Sequence, residues 1–253
     1  MSSSRNAVSA ADRPLTARSV LASALLGTEP PELPVARLVA IAGLFGLSAN
    51  RTRVALSRMA AAGEVDAVDG RYRLRGHLLD RQARQIQSRA AERHPWNGTW
   101  TTVVVRGGAR PAAERTDARR RFTAARLAEL REAVWLRPAN VDVVLPSALE
   151  AAVVRIDGRP GADPAALAAS LWDLDGWATG AERLRLRLAA LPATGDDMLA
   201  PGFVLSASVL RHFQADPLLP DELLPPDWPG PALRHEYDRW DATYRARLVH
   251  HTR

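Results

Sequence analysis

The chain has 253 residues, 47% hydrophobic and 25% charged, with a formal net charge of +6; this is ordinary for a globular protein with room for two or three domains. It has no cysteine, which excludes disulfides and thiolate chemistry and fits a cytoplasmic location. No run approaches the ~18 apolar residues of a membrane helix, and the opening MSSSRNAVSAAD lacks the apolar stretch of a secretory signal.

The placement of charge is more informative than its total. Residues 1–95 hold 14 Arg against 8 acidic residues, whereas residues 96–253 hold 20 of each. A GC-rich genome accounts for the choice of Arg over Lys but not for this asymmetry. A basic first third beside a neutral body points to a polyanion-binding module.

Residues 1–14 read as a disordered tail. Thr16 is placed to cap a helix through ARSVLASALLG, and TEPPELP reads as a loop. Pro34 suits the first turn of a second helix, VARLVAIAGLFG. Ser48 is an N-cap for a third, ANRTRVALSRMAAAG, which Gly63 ends. Asp69-Gly70 is a two-residue hairpin signal. Beyond it, Arg71, Arg73 and Arg75 alternate with Tyr72 and Leu74, the period of a strand.

Three short helices and a basic hairpin predict a winged helix-turn-helix spanning residues 15–76. In the third helix Val54, Leu56 and Met59 are expected to face the other two helices. Asn50, Arg51, Arg53, Ser57 and Arg58 are then left to face DNA, where arginine grips guanine and asparagine grips adenine. Arg71 and Arg73 suit phosphate or minor-groove contact from the wing.

HLLDRQARQIQSRAAERH reads as a linker helix over 77–95, broken by Pro95. WTTVVV is a strand, residues 111–132 an Arg-rich helix, AVWLRPANVDVVL one or two strands, and AAVVRI another. That order predicts a ferredoxin-like middle domain over 96–162. Residues 163–253 read as a helical domain, the candidate for effector binding and dimerisation once the family resemblance below is taken into account. Within it, LPATGDDMLAPG is a loop, a helix around FVLSASVLRHF precedes the proline-rich DPLLPDELLPPDWPGP, a final amphipathic helix runs through RHEYDRWDATYRARL, and His250-His251 is a frayed end. The fold class is α+β.

Four stretches resemble the PaaX family of repressors, named for control of phenylacetic acid breakdown. They are LSANRTRVALSRMAAAGEVDAVDGRYRL, PWNGTWTTVVV, LRPANV with the later SLWDLDGW, and DPLLPDELLPPDWPG. The resemblance implies a winged helix, a ferredoxin-like middle domain and a helical C-terminal domain. It also implies a dimer on a palindromic operator, with release of DNA by an acyl-coenzyme A thioester such as phenylacetyl-coenzyme A. Arg53, Leu56, Ser57 and Arg58 match the family's recognition-helix motif. Trp96, Gly98 and Trp100 match its middle-domain start, Trp172, Asp173 and Leu174 its LWDL stretch, and Pro225 to Pro229 its PPDWP stretch. The loop RGGARPAAE is short of hydrophobic anchors, so the effector's identity does not carry over.

The middle domain also resembles small CRISPR-associated nucleases, which makes a metal-dependent nuclease the alternative reading. Those enzymes need an aspartate just after the first strand, and here Arg106, Gly107 and Gly108 follow it. No histidine pair has metal-ligand spacing, and no G-x-S-x-G, P-loop or G-x-G-x-x-G occurs. No catalytic residue, metal or cofactor is therefore expected. Arg119 and Arg120 are candidates for the phosphates of an effector, against a solvated helix face paired with nearby carboxylates. Trp172 and Trp228 are candidates for its apolar part, against a place in the core.

Overall fold

A computed structural model describes residues 15–107, 111–192 and 195–252; the expected tail at 1–14 lies outside them. The described chain mixes helices with two antiparallel sheets and divides into two compact units. Among the described residues, one draws on 15–84, 192, 195–204 and 242–252, the other on 85–107, 111–191 and 205–241.

In the first unit, helix α1 (Ala17–Leu26) starts at Thr16, whose hydroxyl accepts the Ser19 N–H at 3.1 Å. Strand β1 (Glu32–Pro34) lies inside the segment read as a loop. Pro34 is tolerated there because β1 is an edge strand, where a missing N–H breaks no inner ladder. Helices α2 (Val35–Gly43) and α3 (Ala49–Ala61) follow, and Ser48 caps α3 as expected, accepting the Arg51 N–H at 3.3 Å. Strands β2 (Val65–Val68) and β3 (Arg71–Leu74) form the hairpin, with Val68 opposite Arg71. Asp69 and Gly70 both have positive φ, 49° and 72°. A two-residue hairpin turn that follows the right-handed strand twist requires this. The sheet order is β1-β3-β2. Leu21, Leu25, Leu38 and Leu56 are fully buried, so α1, α2 and α3 share one core.

Helix α4 (His77–Ala90) starts from this unit. Parts of two later helices, α9 (Leu199–Gln214) and α10 (Gly230–His251), complete it. Phe203 meets Phe45 edge-on at 5.3 Å, and the Arg37 Nε–H donates to the Thr252 hydroxyl at 3.0 Å. α9 begins inside the expected loop LPATGDDMLAPG. α10 runs through His250 and His251, which were expected to fray; the His251 Nδ1 lies 3.1 Å from Asp196.

The second unit holds β4 (Trp100–Val105), α5 (Ala112–Ala124), β5 (Ala128–Arg131), β6 (Val134–Pro138), α6 (Ser147–Glu150) and β7 (Val153–Gly158). The order is β5-β6-β4-β7, antiparallel throughout. The helix expected over 111–132 is therefore shorter, and a strand occupies its last part. Arg126 at φ 61° ends the helical turn, and Ala133 at φ 65° forms the tight β5–β6 turn. NVDVVL pairs with no strand among the described residues.

One sheet face packs Val103, Trp135 and Val153 on Phe122 of α5 and Leu149 of α6. The other packs Trp100 and Leu136 on Ala168 of α7 (Pro164–Leu171) and Leu174, where α8 (Leu174–Ala190) begins. A separate helical core joins Leu184 and Leu188 of α8 to Val209 and Phe213 of α9 and to Leu233 and Tyr237 of α10.

Residues 216–219, the DPLL of the proline-rich segment, are buried and gripped by cationic donors. Arg93 donates to the Leu219 carbonyl at 2.7 Å, and Arg126 to the Asp216 carbonyl and, at 2.8 Å, to the Ser88 hydroxyl. Arg234 donates to the Asp216 carboxylate at 2.8 Å. Arg137 is fully buried and donates to the Pro138 carbonyl at 3.0 Å and the Asn140 side-chain oxygen at 3.1 Å. Burial, with Arg126 adding repulsion, lowers the Arg137 guanidinium pKa to about 9, which leaves it charged at neutral pH.

Candidate nucleic-acid interface

Helix α3 buries Thr52, Leu56 and Met59, one stripe at i, i+4 and i+7. Thr52 can sit there because its hydroxyl donates back to the Ser48 carbonyl at 3.0 Å. Val54, expected to face inward with Leu56 and Met59, instead points outward and is 43% exposed. The five residues assigned to the outer face, Asn50, Arg51, Arg53, Ser57 and Arg58, are all exposed. At about 100° per residue, Asn50, Val54 and Ser57 form the line opposite the buried stripe. Arg51 and Arg58 flank it on one side and Arg53 on the other.

Among the described residues, no ion pair or side-chain hydrogen bond engages the guanidinium of Arg51, Arg53 or Arg58. No acidic residue occupies the first turn of α3, so its N-terminal dipole is uncompensated. Beside the helix lies a cleft of about 500 Å³ against the start of α1. Val54, Ala55 and Met59 supply its apolar wall, Arg51 and Arg58 border it, and Arg18 lies there paired with Glu64 at 2.8 Å.

The hairpin differs. Arg71 and Arg73 are exposed, as the alternation predicts, but both pair with Glu32; the Arg73 Nε–H lies 2.7 Å from its carboxylate. These two arginines hold the Glu32 carboxyl well below the usual carboxylate range. Arg75 pairs with Asp66 at 3.0 Å. Sequence reasoning missed Glu32 because it missed β1, whose register sets Glu32 opposite Arg73.

The four residues proposed for an effector do not converge. Arg119 pairs with Glu129 and Arg120 with Asp117 on the exposed side of α5. Trp172 is half-buried against Trp100, with ring centroids 6.4 Å apart, on the opposite face of the sheet from α5. Trp228 stacks on Trp177 at 4.5 Å, and His212 stacks on Trp177 at 4.4 Å. Among the described residues no group of three or more His, Asp or Glu side chains is placed to hold a metal ion. No described helix is long and apolar enough to cross a membrane.

Comparison with protein families matches residues 16–78 to the PaaX-like protein family and residues 182–252 to the PaaX-like protein C-terminal domain. The chain belongs to the PaaX-like family. That family is one of transcription regulators. Among solved structures, the uncharacterized protein Rv0674 from Mycobacterium tuberculosis is 38% identical, with a TM-score of 0.75. The alignment covers 93% of this chain and 98% of that one. No curated protein matches. In this PaaX-like chain the N-terminal match runs from Thr16 past the end of β3 and so contains all seven residues assigned to DNA. The C-terminal match takes in α9 and α10, and the four-stranded sheet lies between the two matches.

Proposed function

We propose that this PaaX-like protein is a dimeric transcriptional repressor that binds operator DNA and releases it when a small-molecule effector binds. The observation that carries the reading is the outer face of α3, with three exposed arginines that no carboxylate among the described residues neutralises. We read α1 to α3 with the β2–β3 hairpin as a winged helix-turn-helix. Residues 48–62 enter a major groove and residues 69–73 approach the flanking backbone. The β5-β6-β4-β7 order, with helices in the β4–β5 and β6–β7 connections, supports the ferredoxin-like reading of the middle domain. No observation favours the nuclease alternative, and a regulator of DNA works where the genome is, in the cytoplasm. In a gel-retardation assay at low salt, duplex DNA from upstream of its own gene is expected to be retarded. Absence of any retarded species overturns the proposal.

Glu32 tempers the wing. Its carboxylate neutralises part of the charge that Arg71 and Arg73 offer to phosphate. Glu32→Gln is expected to tighten binding several-fold and steepen its salt dependence by about one phosphate equivalent. Unchanged affinity and slope would remove the wing from the interface.

Strand β7 supports the dimer. It is an edge strand, and Val154 to Gly158 are all exposed, with the apolar Val154 and Ile156 on one face. The Arg106 N–H donates to the Ala152 carbonyl at 2.9 Å, so the backbone groups of Val153, Arg155 and Asp157 turn outward. A second copy pairing antiparallel about Ile156 sets Arg155 opposite Asp157 twice. By light scattering, Arg155→Asp is expected to yield monomer and the swap Arg155→Asp with Asp157→Arg to restore the dimer. An unchanged dimer in the single variant contradicts this pairing.

The effector is a small molecule of the acyl-coenzyme A class. Arg119 and Arg120 are proposed to contact its phosphates, and Trp172 and Trp228 its apolar part. Phosphate binding there requires Arg119 and Arg120 to exchange Glu129 and Asp117 for the ligand. A thermal-shift series with acyl-coenzyme A thioesters, repeated on Trp228→Ala, tests it; no stabilisation of the unaltered protein by any thioester contradicts it.

A further inference from the structure

The centre of the exposed face of α3 is apolar. Val54 lies on the line opposite the buried stripe, with Asn50 one turn before it and Arg58 one turn after. The core does not account for Val54, because Thr52, Leu56 and Met59 fill the inward positions. Among the described residues, the arginines that flank it, Arg51, Arg53 and Arg58, make no ion pair, so Val54 sits at the centre of a face whose charges are open to a polyanion.

We infer that Val54 reads the C5 methyl group of thymine in the major groove. The inference rests on the DNA-binding reading of α3. Thymine presents a methyl group in that groove where cytosine presents none, and only an apolar side chain gains by covering it. Asn50, Ser57 and the arginines recognise hydrogen-bonding edges and leave a methyl group unread. From Asn50 to Arg58 the helix rises about 12 Å, with Val54 midway between them. The thymine therefore falls inside a short core whose ends are read by Asn50 and Arg58.

The test uses the full-length protein and duplexes selected from a randomised library. Each thymine of the selected site is replaced singly by deoxyuridine, which removes the methyl group and leaves the hydrogen-bonding edges intact. One position per half-site is expected to weaken binding about fourfold, the worth of one buried methylene-sized group. Val54→Ser, which removes both methyl groups from an exposed position, is expected to lose the same factor and to be blind to uracil there. Val54→Thr, which keeps one, stays sensitive. If selected duplexes bind and no uracil position weakens them, or if Val54→Ser keeps the same sensitivity, the role of Val54 is overturned and the DNA-binding reading stands. If no duplex is enriched, both fall together.

Discussion

Asp216→Asn is expected to destabilise the protein by about 3–5 kcal/mol, the cost of leaving buried charges without their partner. Asp216 is 2% exposed, and its carboxylate accepts from Arg234 at 2.8 Å and from the Leu218 N–H at 2.9 Å. It also opposes the charges of Arg126 and Arg137. Burial lowers the pKa of both guanidiniums, and the Asp216 charge raises it. Asparagine keeps the volume and the Leu218 acceptor but removes the negative charge set among three arginines. The urea midpoint, followed by tryptophan fluorescence, measures the loss. Removing a repelling cation as well, by Arg126→Met, is expected to cost less in the Asp216→Asn background than in the unaltered protein. A loss below about 1 kcal/mol for Asp216→Asn, within the range of an ordinary point substitution, would mean that the backbone carbonyls alone accommodate the arginines.

The second large effect falls on DNA affinity and leaves stability alone. Arg53→Ala and Arg58→Ala remove exposed side chains with no ion pair among the described residues, so folding stability should move by no more than about 0.5 kcal/mol. Arg58 lies nearer the outermost line of α3, and its loss is expected to cost about 1–3 kcal/mol of binding and relax the preference at one base pair. Arg53 lies farther round the helix, and its loss is expected to weaken all sequences alike and lower the salt slope by about one. Fluorescence anisotropy on matched and single-mismatch duplexes separates the two patterns. Equal losses on every duplex from both variants would contradict base reading by Arg58.

Most of the N-terminal module is legible in the sequence because its signals are local. Thr16 and Ser48 cap helices with their own hydroxyls, and Asp69-Gly70 supplies the two left-handed residues of a hairpin turn. What sequence reasoning missed depends on partners distant in the chain. β1 is three residues long and ends in proline, so only its pairing with β3 makes it a strand. β5 follows an arginine-rich helix without Gly or Pro, and the break comes from Arg126 in a left-handed conformation that its type does not announce. Val54 is apolar and by type alone belongs with the core, whereas Thr52, a polar residue satisfied by its own helix, takes the buried position. Nothing local in LRPAN announces that Arg137 and Asn140 are buried, because the carbonyl groups that accept from them come from the distant 216–219 segment.

The most direct test of the account is the salt dependence of DNA binding by the full-length protein and by the triple variant Arg51→Ala, Arg53→Ala, Arg58→Ala. Log affinity should fall linearly with log salt, and the triple variant should flatten the slope by about two to three units. A slope that the three substitutions leave unchanged, or no binding by the unaltered protein at low salt, would contradict α3 as the DNA-contacting face.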